Sequence, residues 1–184
     1  MKASYHVVCG GIASLVLIPV LGTDSAVFFV SSVLIDSDHY LDYVCRNEFK
    51  DFSPKRMFTF HDLLEEKVKD KNFLGLSIFH TVECFLSLYI IAELTGLAVF
   101  MVILWGFLFH LALDLIYLYR RGVLFSRAFS IVEYVIRWNR LKQRGVRPEL
   151  PYRSVLTAMS VYSEPLGDDK EKGSGEENQQ IAKE

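Results

Sequence analysis

The sequence has little cysteine and almost no net charge, and each shortage excludes a class of protein. Three cysteines among 184 residues, with no Cys-x-x-Cys pair, cannot build a disulfide framework, so we expect reduced, buried thiols. A net charge of −2 is not typical of a general nucleic-acid binder, and no nucleic-acid partner is expected. The sequence also lacks a phosphate-binding loop, a Gly-x-Gly-x-x-Gly pattern and a nucleophile elbow.

Apolar residues, by contrast, make up 51% of the chain, and its charged residues are concentrated in a few segments. Between those segments lie four apolar blocks, each near the roughly 20 residues that cross a hydrocarbon core. The blocks are residues 7–22, 26–45, 73–92 and 97–119. Their uncharged runs are short and ionisable residues interrupt three of them, so buried core helices of a soluble bundle remain the rival interpretation.

The distribution of lysine and arginine favours the membrane interpretation. The connections 23–25 and 93–96 contain neither residue, whereas 46–72 contains seven and 120–147 contains eight. Basic residues therefore alternate between the two ends of the blocks, as the positive-inside rule expects. We predict an all-α integral membrane bundle of about four transmembrane helices in two hairpins. Both termini would lie on the cytoplasmic side of the plasma (inner) membrane.

Three further segments complete the predicted organisation. Residues 128–142 fit either an amphipathic helix on the inner leaflet or a fifth core helix with a solvated face. A short helix is predicted to start near Thr59, where Thr59-Phe60-His61-Asp62 fits a capping box. Residues 1–162 are predicted to form the membrane-embedded helical domain, and 163–184 a disordered acidic tail.

The candidate functional residues are the ionisable ones inside the apolar blocks, because charge at membrane depth is costly. They are His6 directly before the first block, Asp36, Asp38 and His39 in the second, His80 and Glu83 in the third, and His110 and Asp114 in the fourth. Helical spacing places His110 and Asp114 on one face at i,i+4. The i,i+3 spacing does the same for His80 and Glu83.

These residues also fall at a similar depth. Because helix direction alternates in two hairpins, the ionisable residues of all four blocks lie near the cytoplasmic ends of those blocks. Imidazole and carboxylate groups are the ligands of zinc and related divalent metals. We therefore predict a site for one or two divalent ions, most naturally zinc. Its predicted ligands are His6, Asp36, Asp38, His39, His80, His110 and Asp114, and Glu83 is the predicted general base.

The order of these motifs resembles a known family. Asp36-Ser37-Asp38-His39 follows an apolar helix, His80 comes early in the next block, and His110 and Asp114 form a His-x3-Asp. This resembles the small membrane-bound metal-dependent hydrolases of the YdjM type over about residues 1–119. It is more distantly similar to the all-helical zinc phospholipase C and single-strand nuclease group. The resemblance implies a metal-dependent hydrolase.

Together these features predict hydrolysis of a phosphoester or other ester bond in a phospholipid or similar amphiphile, with membrane lipid as the partner. Arg120, Arg121 and the basic segment 46–72 suit an anionic head group. Two alternatives from other classes stay open. The ionisable residues fit an ion path in a transporter or channel subunit. They also fit polar contacts that join helices in a non-enzymatic membrane assembly protein.

Overall fold

The structure is a computed structural model that describes residues 3–161, and this part of the chain is mostly helical. The all-α prediction is therefore confirmed. The predicted tail, 163–184, lies outside the described residues.

The first half of the described chain folds into four helices. They are α1 (Ala3–Leu21), α2 (Asp24–Leu34), α3 (Ser37–Arg46) and α4 (Pro54–Lys67). The second apolar block, 26–45, is therefore not one continuous helix, because the chain turns at Ile35 and Asp36 between α2 and α3. This turn lies within the Asp-x-Asp-His motif.

Helix α4 begins at Pro54 rather than near Thr59, so the predicted start was wrong. The Ser53 hydroxyl caps the helix by accepting a hydrogen bond from the Arg56 amide. Proline fits the first helical position, where an amide hydrogen would have no partner. The Ser-Pro pair was the better signal for a helix start.

The second half alternates short extended segments with helices. Its elements are β1 (Gly75–Leu76), a 3-10 turn (Ile78–His80), α5 (Val82–Thr95), α6 (Ala98–Arg120), a second 3-10 turn (Leu124–Ser126), β2 (Arg127–Ala128), α7 (Ile131–Gln143) and α8 (Leu150–Val161). The two strands pair in parallel, with Gly75 opposite Arg127 and Leu76 opposite Ala128. This pairing carries the segment after α6 back to the start of α5.

Helix α2 packs between α1 and α6, and α5 packs on the other side of α6. Glycine allows these close approaches. A Cβ atom built on Gly106 would overlap the Ser31 hydroxyl and lie 2.7 Å from the Phe28 carbonyl oxygen. A Cβ atom on Gly10 would lie 2.5 Å from the Ser32 hydroxyl oxygen. Small residues at such crossings are typical of helix pairs in membranes.

A separate hydrophobic core joins α3, α4 and α8 at the polar end of the bundle, which is the end where the chain turns at Asp36. Its largest buried side chains include Tyr43, Phe60 and Tyr152. The Tyr152 hydroxyl donates to the Leu74 carbonyl oxygen at 2.7 Å, which ties α8 to the segment before β1. Cys45, predicted to be buried, is exposed on α3.

Two helices are long and apolar enough to cross a membrane, in the segments Ser4–Leu21 and Ala98–Arg120. Only 11% of the first apolar window and 28% of the second are buried, whereas a soluble protein's core helix would be mostly buried. A helix like the first also fits a signal sequence. With 11 and 14 residues, α2 and α5 are too short to span alone, so the four-span arrangement stays a prediction.

Candidate metal centre

The seven predicted ligands come from five elements that meet at one end of the bundle. They are His6 on α1, Asp36 in the turn after α2, Asp38 and His39 on α3, His80 in the first 3-10 turn, and His110 and Asp114 on α6. They form three overlapping groups, and within each group one ligand atom per residue lies within 4.8 Å of the others. The groups are His6–Asp36–His110, His80–His110–Asp114 and Asp36–Asp38–His39.

His110 is buried with a fixed tautomer. Its Nδ1 lies 2.7 Å from the backbone oxygen of Ser32, and because a carbonyl only accepts, Nδ1 carries the hydrogen. That carbonyl is available because α2 ends here and the Asp36 amide donates to Val33 instead. The lone pair of His110 Nε2 therefore points away from Ser32, toward Asp36 and Asp114.

His80 is oriented by a carboxylate. Its Nδ1 lies 3.0 Å from Asp38 Oδ2, and the same oxygen accepts the Phe79 amide at 3.0 Å. His80 and Asp38 are both almost fully buried. A carboxylate behind a histidine fixes the Nδ1–H tautomer and leaves Nε2 as the ligand, as in many metal sites. One oxygen of Asp38 thus supports His80 from behind.

The lone pairs of His80 Nε2 and His110 Nε2 and the nearby carboxylate oxygens are close enough to bind a shared ion. Asp36 Oδ1 lies 3.2 Å from His110 Nε2 and 3.7 Å from His80 Nε2. Asp114 Oδ2 lies 3.8 Å from each of the same two nitrogens. Tetrahedral ligands at about 2.0–2.2 Å from an ion are separated by about 3.3–3.6 Å from each other. His80, His110 and Asp114 can therefore hold one metal ion after small side-chain movements, with Asp36 beside them.

The two histidine nitrogens also need a partner. Within residues 3–161, His80 Nε2 and His110 Nε2 are buried and accept no hydrogen bond. A buried polar atom without a partner costs free energy, and a bound cation would remove that cost. This observation points to a ligand independently of the spacing.

His6 extends the cluster on its far side. Its ring stacks on that of His110, with centroids 3.7 Å apart and planes at 12°. His6 Nε2 lies 3.2 Å from Asp114 Oδ1, whereas the other oxygen of Asp114 faces His80 and His110. Asp114 therefore presents one oxygen to each side of the cluster.

A cavity of about 730 Å³ opens beside the cluster and gives it access from outside. The two partly exposed ligands, Asp36 and His39, line this cavity, and His39 Nε2 lies 3.3 Å from Asp36 Oδ1. Much of the remaining wall is apolar, with contributions from Val33, Leu34, Met57, Phe58, Leu64, Val68, Phe73 and Leu118. The cavity thus has a polar end, at Asp36 and His39, and an apolar wall.

Arg127 is the site residue that sequence reasoning missed. It counted only as one of eight basic residues in 120–147, yet β2 places its guanidinium inside the cluster. Its Nη1 lies 3.0 Å from Asp114 Oδ2, and only 11% of the side chain is exposed. The available signal was its position within Leu124-Phe125-Ser126-Arg127-Ala128-Phe129, where it is the single charge among largely apolar residues.

The structure does not bring Glu83 into the cluster. Its carboxylate accepts from the Ser130 hydroxyl at 2.5 Å and from the Ile131 amide at 3.0 Å, so it caps the start of α7. The expected shared helical face with His80 does not exist, because α5 begins at Val82 and His80 precedes it.

His61 lies on α4 and contacts the backbone of His39. Its Nε2 donates to the carbonyl oxygen of His39 at 2.8 Å. Burial, together with the neighbouring His39, lowers the pKa of His61 to about 4. His61 is therefore neutral at pH 7 and supports the backbone of α3.

Comparisons of the chain with protein-family models, with curated proteins and with solved structures find no match. The chemistry of the site therefore has to be inferred from its own geometry.

Proposed function

We propose that this protein is a membrane-embedded, metal-dependent hydrolase that cleaves a phosphoester or other ester bond in a lipid or amphiphilic substrate. The observation that carries the proposal is the pair of buried, unpartnered Nε2 atoms of His80 and His110. With Asp114 they form a His₂-carboxylate ligand set, which suits zinc and leaves a fourth position for water, with Asp36 beside it. His6 Nε2, 3.2 Å from Asp114 Oδ1, would supply a ligand to a second ion.

A divalent metal in this site supplies two effects: it lowers the pKa of a bound water to near 7 and polarises the oxygen of the scissile group. Asp36 and His39 face the cavity and hold the attacking water, and His39 takes its proton. The water oxygen then bonds to the phosphorus or carbonyl carbon as the bond to the alcohol oxygen breaks. His39 returns the proton to that departing oxygen.

The apolar wall of the cavity supports an amphiphilic substrate. The ester or phosphoester would lie at the polar end with Asp36 and His39, and the aliphatic part would lie against side chains such as Phe58 and Leu118. Burying each methylene of such a chain is favourable by about 0.8 kcal/mol. The substrate would enter from the inner leaflet, at the level of the metal centre.

The outer surface of the helices supports a membrane location. Large apolar side chains cover the outside of α1, α2, α5 and α6, where lipid would contact them; examples are Val8, Leu15, Val16, Val20, Leu34, Leu86, Leu94, Leu108 and Ile116. In the proposed topology α1 and α6 span the bilayer, and α2 and α5 complete the two hairpins. Both termini and the metal centre lie on the cytoplasmic side.

This topology predicts opposite labelling of two cysteines. Cys45 is exposed at the polar end, and Thr95 is exposed at the opposite turn between α5 and α6. Cys45 should react with a membrane-impermeant maleimide in inverted vesicles but not in intact cells. Thr95→Cys in a Cys45→Ser background should show the reverse. Labelling of both cysteines from the same side, or release of the protein by alkaline carbonate, would contradict the topology.

Hydrolysis is tested with zinc-loaded protein in mixed micelles of phosphatidic acid, phosphatidylcholine or diacylglycerol. We expect turnover of at least one of these lipids, and a decrease of about 100-fold or more in Asp114→Asn or after chelation. Glu66→Gln is the matched control, because Glu66 is an exposed carboxylate on α4. Lipid cleavage that persists in Asp114→Asn would contradict the proposal. Zinc flux into liposomes without turnover would favour a transporter.

A further inference from the structure

The guanidinium of Arg127 is only partly satisfied by its neighbours. One nitrogen, Nη1, donates to Asp114 Oδ2 at 3.0 Å. The other two nitrogens, Nε and Nη2, are buried and have no hydrogen-bond partner within residues 3–161. Buried donors of a charged group without acceptors are strongly unfavourable, so these two nitrogens call for a ligand.

The free nitrogens lie on the edge of the guanidinium that is best suited to an oxyanion. Nε–H and Nη2–H point in parallel, and this edge binds two oxygens of a phosphate or carboxylate at once. Because Asp114 takes Nη1, the parallel edge has no partner within residues 3–161, and both of its nitrogens are closed off from solvent. Arg127 also lines the cavity beside the metal centre.

Arg127 is held in place by its backbone. Gly75 pairs with Arg127 across the two short strands. The carbonyl oxygen of Arg127 accepts a hydrogen bond from Arg137 Nη1 at 3.3 Å. Two residues later, the Phe129 carbonyl oxygen accepts from the Val82 amide at 2.9 Å. The side chain therefore projects from a segment that is tied to α5 and α7, as a preorganised binding group requires.

The charges of the centre allow an anionic ligand once metal ions are bound. Asp36, Asp38 and Asp114 carry three negative charges and Arg127 one positive charge, so two negative charges remain when the histidines are neutral. One divalent ion cancels them, and a second makes the centre positive. Arg121, the other arginine on the described cavity wall, is paired with Glu65. Arg127 is also paired, with Asp114, but its Nε and Nη2 have no partner within residues 3–161.

We infer that Arg127 binds the phosphoryl group of the substrate through its Nε–Nη2 edge, next to the metal. This inference rests on the proposed function and narrows it: the substrate is a phosphate ester of an amphiphile and not a neutral carboxylic ester. Two phosphoryl oxygens accept from Arg127, and a third faces the metal.

The test uses zinc-loaded, detergent-purified protein freed of excess zinc, and inorganic phosphate as the probe in titration calorimetry. Arg127→Met should weaken phosphate binding by about 10- to 100-fold, since it removes a charge-assisted pair of hydrogen bonds. Arg140→Met is the matched control and should bind phosphate like the wild type, because Arg140 is exposed on α7 and is not on the described cavity wall. Zinc content is measured in each variant and phosphate affinity is compared at equal zinc occupancy, because Arg127 also contacts the proposed ligand Asp114. Arg127→Lys keeps the charge without the parallel edge and should bind with intermediate affinity.

The outcomes separate this inference from the proposed function. Zinc-containing wild-type protein that does not bind phosphate, or an Arg127→Met variant that binds it as tightly as the wild type, overturns the role of Arg127 and leaves the metal centre standing. If Arg127→Met does not fold, Arg127→Lys decides, and wild-type affinity in that variant overturns the inference. Wild-type protein that binds no zinc overturns both proposals.

Discussion

His110→Ala protein, purified in detergent after growth with zinc, is expected to lose most of its bound metal. His110 Nε2 belongs to two of the three ligand groups, because it faces both Asp36 and Asp114. Its removal leaves the ion with fewer strong ligands in a buried site, so the affinity should fall by more than the 10- to 100-fold that loss of a supporting residue costs. Elemental analysis of the wild type and the variant measures the loss.

The matched control for this experiment is His61→Ala. His61 lies near the cavity, but its Nε2 hydrogen is used by the His39 carbonyl oxygen. Its metal content should therefore equal that of the wild type. His110→Gln tests whether metal loss reflects the missing ligand rather than unfolding, because glutamine can still donate to the Ser32 carbonyl oxygen. A His110→Gln protein that retains full metal content would refute the centre.

Asp38→Asn tests the metal centre at a residue that supports the ligand His80 from behind. The substitution keeps the shape of the side chain but weakens the acceptor behind His80 Nδ1. Metal affinity should fall by about 10- to 100-fold, less than after loss of His110. A loss as complete as that of His110→Ala would show instead that Asp38 binds the ion directly.

Gly106→Ala is expected to destabilise the protein by about 2 kcal/mol or more, because the new methyl group would collide with α2. The atoms in its way include the Phe28 carbonyl oxygen, which is backbone and can move only if the whole helix shifts. Since α2 ends at the turn that carries Asp36, this shift should also weaken metal binding. Thermal denaturation in detergent and metal titration measure the two effects.

Gly11→Ala is the matched control for the helix packing. A Cβ atom there would meet only the Phe29 ring at 3.8 Å, an ordinary contact. Alanine also favours a helix over glycine by about 1 kcal/mol, so this variant should be as stable as the wild type or more stable. Equal melting temperatures for Gly106→Ala and Gly11→Ala would contradict the close packing of α2 against α6.

The site could be predicted from the sequence wherever regular helical spacing applied. His110 and Asp114 share one helix over its full length, so the i,i+4 spacing placed them correctly. The same reasoning failed for His80 and Glu83, because the helix begins between them. A pattern of residue types does not show where a buried segment stops being helical, especially when the residues before Val82 are as apolar as those after it.

The turn at Asp36 shows the same limit. In the sequence, residues 26–45 form one apolar block, yet the chain turns between α2 and α3. The turn leaves the Ser32 carbonyl oxygen available to His110 and directs the Asp36 carboxylate into the cluster. Tertiary contacts between helices decide such a break, and no local propensity specifies it.

The sequence alone determined that the chain is helical and apolar, and that imidazoles and carboxylates from four segments occupy one end of the bundle, because hydropathy and spacing are local properties. Only the tertiary structure decided which atoms face one another in the cluster, which carboxylate supports His80 and which one caps α7. It also brought Arg127 into the centre through a two-residue strand pair. Those assignments depend on contacts between residues far apart in the chain, which no window of sequence contains.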